Sequence, residues 1–271
     1  NNPIYNSYTI NKKRGGQRFI SEPEVNLKAI QKRLNYFLQA YYLWIKPKEA
    51  HGFVVNPHYL GPRCNIVENA KAHVKKRFVL NIDLKDFFSN IPAFQVKQFF
   101  SSRYFHFNEQ ISTALTLLTS YQGTLPIGAP TSPVISNFIC LQLDTDLIEM
   151  CSKNGLSYSR YADDLTFSSE TEINDHITSN LIQLITRNGF EINEKKIRMT
   201  ASSYRQKVTG LIVNEKVNVN RKMLKQVRAM LHDLTMNGIE TSVRRHFKTS
   251  QINERQIAKF TNRLRGYIDF I

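Results

Sequence analysis

The chain has 271 residues, 41% of them hydrophobic and 11% aromatic. That balance excludes a disordered or low-complexity protein and is enough to build a sizeable core. Lysine and arginine number 37 against 22 acidic residues, a net charge of +15 that favours a polyanionic partner, nucleic acid ahead of a membrane surface. Cys64, Cys140 and Cys151 stand at no ligand spacing, so neither a disulfide framework nor a zinc site is expected. With no apolar run of about 18 residues and no signal-peptide core, the expectation is a soluble, cytoplasmic protein with no membrane partner. The chain begins without Met, which leaves room for a leading segment.

Residues 5 to 20 read as two strands joined by a basic Gly-Gly turn, with Lys12, Lys13, Arg14 and Arg18 near its tip. Such a turn is most simply solubilising, yet a basic hairpin also suits closure over a triphosphate. Arg18 is the best placed for that, because a strand would hold its guanidinium steady. Pro23 opens a helical pattern to about Tyr42, with Leu27, Ile30, Leu34, Phe37, Leu38 and Tyr41 as its core stripe. Residues 47 to 68 form an irregular Pro/Gly/Asn-rich connection. A basic helical patch follows from Asn69 to Lys76; its His73, taken alone, reads as structural rather than catalytic.

Phe78 to Ile82 suit a buried strand with Asp83 at its carboxyl end. An ionised Asp there needs a cation or hydrogen-bond donors. Asp86, Phe87 and Phe88 follow, the two rings most simply as packing. Residues 92 to 119 read as helical with a break around 103 to 108. Tyr121 to Pro133, with Gly128 and three prolines, is a rigid loop leading into a helix from Val134 to about Cys151, capped by Thr131 or Ser132. Its free N–H groups would favour an anion, although a capped helix is the simpler reading.

Tyr161-Ala162-Asp163-Asp164 sits between alternating β-formers and reads as the tip of a hairpin. Adjacent carboxylates usually mark an acidic turn. Here the apolar flanks would hold them rigidly in a basic protein, where they repel unless a cation lies between them. Mg2+ takes such oxygen ligands, which suggests a two-metal phosphoryl-transfer site with Asp83 as third carboxylate. A helix over 172 to 189 follows, then a strand-like segment with Lys195 and Lys196. Lys207 to Asn220 reads as a hairpin turning at 214 to 216. The remainder is helical and strongly basic, with Arg221, Lys222, Lys225, Arg228, Arg244 and Arg245 among its cations, a pattern suited to tracking phosphates.

This order of motifs resembles the palm and thumb of reverse transcriptases from about Tyr8 to Arg228. Asn69-Ala-Lys-Ala-His73 and Val208-Thr209-Gly210 are most similar to bacterial retron enzymes, and the Arg18-to-Pro23 segment resembles the fingers motif Arg-x-Ile-x-x-Pro of bacterial reverse transcriptases. The resemblance implies an α+β right-hand polymerase: fingers over 1–76 with part of 92–120, an antiparallel-sheet palm over 77–212 and a helical thumb over 213–271. It implies Mg2+ (Mn2+ as an alternative) held by Asp83, Asp163, Asp164 and the Leu84 carbonyl, and a general-acid role for Lys196. Lys12, Lys13, Arg18, Asp86, Phe87, Ile127 and Gly128 would line the dNTP, and Phe88 would exclude a ribose 2′-OH. Asn69, His73, Val208, Thr209 and Gly210 would contact or position RNA, together with the terminal cations.

The implied partners are dNTPs, a cognate non-coding RNA with its RNA–DNA product (msDNA), and an effector protein in antiviral defence. One departure stands out: Leu125-Pro126-Ile127-Gly128 carries Ile where the family pattern has Gln, removing a polar contact near the nucleotide sugar. The competing readings are another bacterial reverse transcriptase, of group II intron or non-retron defence type, and a catalytically idle RNA-binding scaffold.

Overall fold

The computed structural model describes residues 4–12, 15–55 and 64–271. Strands β1 (Tyr5–Asn11) and β2 (Gln17–Pro23) pair antiparallel, with Tyr5 opposite Pro23 and Ile10 opposite Arg18. Gly15 and Gly16 at the tip take positive φ, which glycine adopts without a Cβ penalty. Helix α1 (Val25–Ile45) starts after Pro23 rather than at it, because Pro23 closes β2. Its buried line is Leu27, Gln31, Leu38, Gln39 and Tyr42, whereas Ile30 and Phe37 of the expected stripe are exposed. Gln31 takes a core place by donating to the Tyr5 hydroxyl and the Leu118 carbonyl.

Asn65 caps the short helix α2 (Ile66–Lys71), accepting from the N–H groups of Val67 and Glu68. Then come β3 (Phe78–Asp83), α3 (Ala93–Ser101) and α4 (Glu109–Thr119), the last two divided at the expected break. The single helix expected from Val134 is two: α5 (Ser132–Ile139) and α6 (Leu141–Lys153). The backbone tightens between them, where the Cys140 N–H reaches both Ser136 O and Phe138 O. Strands β4 (Ser157–Tyr161) and β5 (Asp164–Ser169) form the expected hairpin, and α7 (Asp175–Arg187) follows, ending at Gly189 with φ 83°.

Lys196 does not lie on a strand. It ends a 3-10 turn (Glu194–Lys196) before β6 (Arg198–Ala201). The next hairpin, β7 (Lys207–Val208) and β8 (Leu211–Ile212), turns at Thr209-Gly210, where both residues take positive φ, rather than at 214 to 216. The expected turn region is a wider return that brings Asn218 back to Ile212. Helices α8 (Arg221–Phe247), kinked at Gly238, and α9 (Glu254–Phe270) enclose their own core of Val227, Met230, Val243, Phe260 and Leu264.

The central sheet runs β4-β5-β3-β6, antiparallel throughout. Period-two alternation divides its residues between two faces. Leu80, Ile82, Tyr158, Leu165 and Phe167 enter the large core formed with α1, α3, α5, α6 and α7. Asp83, Asn81, Asp164 and Thr166 belong to the opposite face, where Val79 joins Ala70, Val208 and Leu211 in a smaller core.

Candidate active site

Tyr161 pairs with Asp164, so Ala162-Asp163 is a two-residue turn, and Ala162 is held at φ 58°. Asp83 pairs directly with Asp164 across β3 and β5, which puts both carboxylates on one face at cross-strand distance. The Leu84 N–H donates to the Asp163 carbonyl at 2.9 Å and fastens the turn to the end of β3. Three carboxylates, one turn and one strand end therefore come together as the acidic pattern implies.

Their electrostatics show the strain of that crowding. Burial, then the charges of Asp163 and Asp83, push Asp164 up to about 6, with Lys196 opposing. Asp164 also keeps part of its surface in water, which weakens the burial component more than the repulsion between near neighbours. Burial, and more weakly Asp83, raises Asp163, while Lys196 and Arg18 pull it down. The Lys196 ammonium reaches Asp83 Oδ1 at 2.7 Å. Among the described residues no group of three or more His, Cys, Asp or Glu side chains is arranged as a metal-holding cluster. Carboxylate oxygens are nonetheless the donors Mg2+ takes, and in phosphoryl transfer Mg2+ completes its shell with water and substrate oxygens. The trio offers oxygen donors of the type such an ion takes.

A buried scaffold that local sequence reading misses holds the turn. Arg160 makes a two-pronged pair with Asp144 of α6, Nε to Oδ1 at 2.7 Å and Nη2 to Oδ2 at 2.6 Å, both side chains almost wholly buried. Its Nη1 donates to Asn137 Oδ1 at 2.9 Å and to the Ala162 carbonyl at 3.2 Å, and the Tyr158 hydroxyl donates to Asp144 at 2.8 Å. Burial alone would lower the Arg160 pKa, but Asp144 holds it well above the ordinary guanidinium range. Asn137 in turn donates to the Gly52 carbonyl. A Cβ on Gly52 would stand 2.2 Å from the Ala162 nitrogen, so only glycine lets that segment lie flat on the turn. The one local signal for this scaffold is an Arg on a strand otherwise suited to burial.

On the β1–β2 side, Arg18 and Lys12 are exposed, and Lys13 falls outside the described residues. The loop before α5 docks there through backbone: the Ser21 N–H donates to the Ile127 carbonyl at 2.7 Å. Gly128, at φ 118°, would bring a Cβ within 2.9 Å of Ile20 and 3.0 Å of the Ser21 carbonyl. Asp86 is exposed at φ 43°. Phe88 is half-buried against Phe53 and Phe87, at ring distances of 5.7 and 5.3 Å. Phe87 is a correction: it is buried in the core, stacked on Phe190 at 6.0 Å, and cannot line a nucleotide.

For Asn69 and His73, expected to contact or position RNA, only side-chain contact is ruled out. Both are fully buried, so neither side chain can touch RNA. His73 bridges the β4–β5 hairpin, Nδ1 to Ser168 Oγ and Nε2 to Ser159 Oγ, each at 2.7 Å. Burial first, then His51 and Lys76, lower it to about 3, a neutral ring. Val208 is also buried, leaving Thr209 and Gly210 as the accessible part of their turn. That turn lines a groove of about 340 Å³ beside Asp164, with Lys196, Arg198, Arg205 and Lys207 on its walls. The last three were not singled out in the sequence, although Arg198 and Lys207 stand on alternating strands. Arg221, Lys222, Lys225, Arg228, Arg244 and Arg245 are exposed, and Arg245 is paired with Asp233 at 2.5 Å.

A family model described as reverse transcriptase (RNA-dependent DNA polymerase) matches residues 10–251. The chain is 34% identical over 240 residues to the retron Ec86 reverse transcriptase of Escherichia coli, covering 85% of this chain and 70% of that protein. It is 32% identical to the retron Mx65 reverse transcriptase of Myxococcus xanthus over 84% of this chain, but spans only 55% of that relative's length. Against the retron Mx162 reverse transcriptase of the same organism it spans 52%. Among solved structures, a Candida albicans telomerase in complex with a fragment of telomeric RNA is similar with TM-score 0.54 and 11% identity, over 98% of this chain and 59% of that one. Apo telomerase from Candida tropicalis gives the same TM-score at 10% identity, over 81% and 57%. At such identities the likeness concerns the fold. Among the described residues no helix is long and apolar enough to cross a membrane.

Proposed function

Because the chain belongs to the reverse transcriptase family, the RNA-directed DNA polymerases, and within it to the retron reverse transcriptases, we propose that it copies a cognate non-coding RNA into msDNA at Asp83, Asp163 and Asp164. The observation that carries this reading is the direct pairing of Asp83 with Asp164, with Asp163 at the adjoining turn. The central sheet serves as palm within 77–212. Residues 1–76, with part of 92–120, serve as fingers, and 213–271 as thumb.

Asp83, Asp163, Asp164 and the Leu84 carbonyl would hold two Mg2+ ions (Mn2+ as an alternative), which when bound activate a primer hydroxyl and neutralise triphosphate charge. The chain's own residues do the rest. Arg18, already close enough to influence Asp163, takes the triphosphate from the β1–β2 hairpin with Lys12 and Lys13. Phe88 limits the space beside the sugar of an incoming dNTP, while Ile127 and Gly128 set the loop against β2. Lys196, released from Asp83, gives its Nζ proton to the departing pyrophosphate. The cationic groove and the exposed α8 cations receive the RNA and its RNA–DNA product. The buried His73 and Asn69 act by positioning. An effector protein in antiviral defence, working in the cytoplasm, completes the proposal.

Asp163→Asn and Asp164→Asn should each abolish Mg2+-dependent cDNA synthesis while leaving RNA binding largely intact. Extension at the wild-type rate by both variants would remove the site assignment.

A further inference from the structure

The outer face of α1 supplies no residue to the acidic trio or to the groove beside Asp164. Along it, Lys32, Tyr36, Ala40 and Trp44 follow at intervals of four, and Lys48 continues the series just past the helix end. Arg33 and Phe37 lie alongside. Arg33, Phe37, Ala40 and Trp44 fall within roughly 60° of one line at ~100° per residue, with Tyr36 at its flank. Trp44 is 86% exposed, Tyr36 83% and Phe37 59%, an unusual place for large aromatics. The helix contains no acidic residue. Among the described residues the only carboxylate recorded at these cations is Glu49, 3.8 Å from Lys48, which is 92% exposed.

We propose that this face is a second nucleic-acid surface. It takes an unpaired stretch of RNA by stacking bases on Tyr36 and Trp44 while Lys32, Arg33 and Lys48 meet the phosphates. Two features favour an unpaired polyanion over a protein. Cations flank the aromatics with no acidic counterpart on the helix, and flat rings two turns apart offer separate platforms about 12 Å apart for bases whose faces are open. That the strand is RNA rests on the proposed polymerase function; the stacking surface itself does not. A face so placed would hold template away from the catalytic hairpin.

Trp44 is the chain's only tryptophan, so its emission reports on this face alone. Titration of the full chain with a short unpaired oligoribonucleotide should quench that emission, and a perfectly paired RNA of equal length should quench it less. Tyr36→Ala with Trp44→Ala should weaken binding by about fivefold or more in fluorescence anisotropy. Lys32→Glu with Arg33→Glu should do the same and, in addition, reduce the salt dependence. Extension of a short primed template by these variants should stay at the wild-type level, which separates this face from the polymerase site. Binding seen by anisotropy with Trp44 emission unchanged, or wild-type affinity in both double variants, would overturn the proposal. So would an emission change driven by protein concentration without RNA, which would make the face a contact between copies.

Discussion

The buried pair Arg160–Asp144 offers a test in which stability and catalysis separate. Asp144→Ala would leave the Arg160 guanidinium uncompensated in a site both side chains fill with at most 1% exposure. Loss of one partner from such a pair costs about 3–5 kcal/mol, and the Tyr158 hydroxyl would lose its acceptor as well. Set against a typical domain stability of about 5–15 kcal/mol, that change alone should make the protein marginal. Replacing both members, Asp144→Leu with Arg160→Met, removes the stranded charge. Apolar pairs of similar volume are often neutral or better in such places, so most of the lost stability should return.

Activity should not return with it. The double variant still lacks the bond from Arg160 to the Ala162 carbonyl and the one to Asn137, which carries on to Gly52. The turn bearing Asp163 then keeps the Leu84 N–H bond and its strand pairing but loses its buried side-chain anchor. A displacement of about 1 Å in such a turn costs on the order of 100-fold in rate. Urea unfolding should show Asp144→Ala strongly destabilised and the double variant nearly restored. Single-turnover primer extension should be 10- to 100-fold slower, by the same estimate, in the restored protein. Full-rate extension by the double variant would refute the positioning role, and a stable Asp144→Ala would refute the buried charge.

Two further predictions concern residues whose surroundings differ from the sequence-based expectation. His73 is held near 3 in the fold against 6.5 unfolded. The unfolded chain therefore binds the extra proton first, and stability is intact above about 6.5 and lost progressively as pH falls towards 3. At about pH 5 the loss is about 2 kcal/mol. His73→Gln should flatten the melting temperature between roughly pH 7 and pH 5, and an unchanged slope would assign the acid sensitivity elsewhere. Phe88→Ala, which opens the space beside Phe53, should raise rNTP incorporation relative to dNTP; an unaltered preference would remove the ring from sugar selection.

How far the sequence could be read follows from contact distance along the chain. The strand ending in Asp83, the Tyr161–Asp164 hairpin and the break near 103 to 108 are local patterns, and the structure has them where period and turn chemistry put them. The split at Cys140, the Thr209-Gly210 turn and the 3-10 turn at Lys196 are choices between neighbouring backbone states that short patterns do not decide. The scaffold was less accessible still. Arg160 meets Asp144 sixteen positions away, Asn137 meets Gly52 across 85, and His73 meets Ser168 across 95. Those partners are brought together only by the sheet and the helices beneath it.

The two signatures that mark the retron resemblance turn out to be neighbours. Ala70 packs with Val208 and Leu211 in one small core, and the Thr209 hydroxyl reaches the Ile66 carbonyl at 3.4 Å. Lys75 N–H donates to the Val213 carbonyl at 3.0 Å. Through His73 the same segment grips both strands of the β4–β5 hairpin on the face that carries Asp83 and Asp164. Arg160 grips that hairpin from the opposite face. A β-hairpin that must present two repelling carboxylates is thus fixed from both sides, by a neutral ring nearer its base and a paired guanidinium nearer its tip. The burial of His73 follows from that grip on both strands, and Gly210 is the exposed end of the unit.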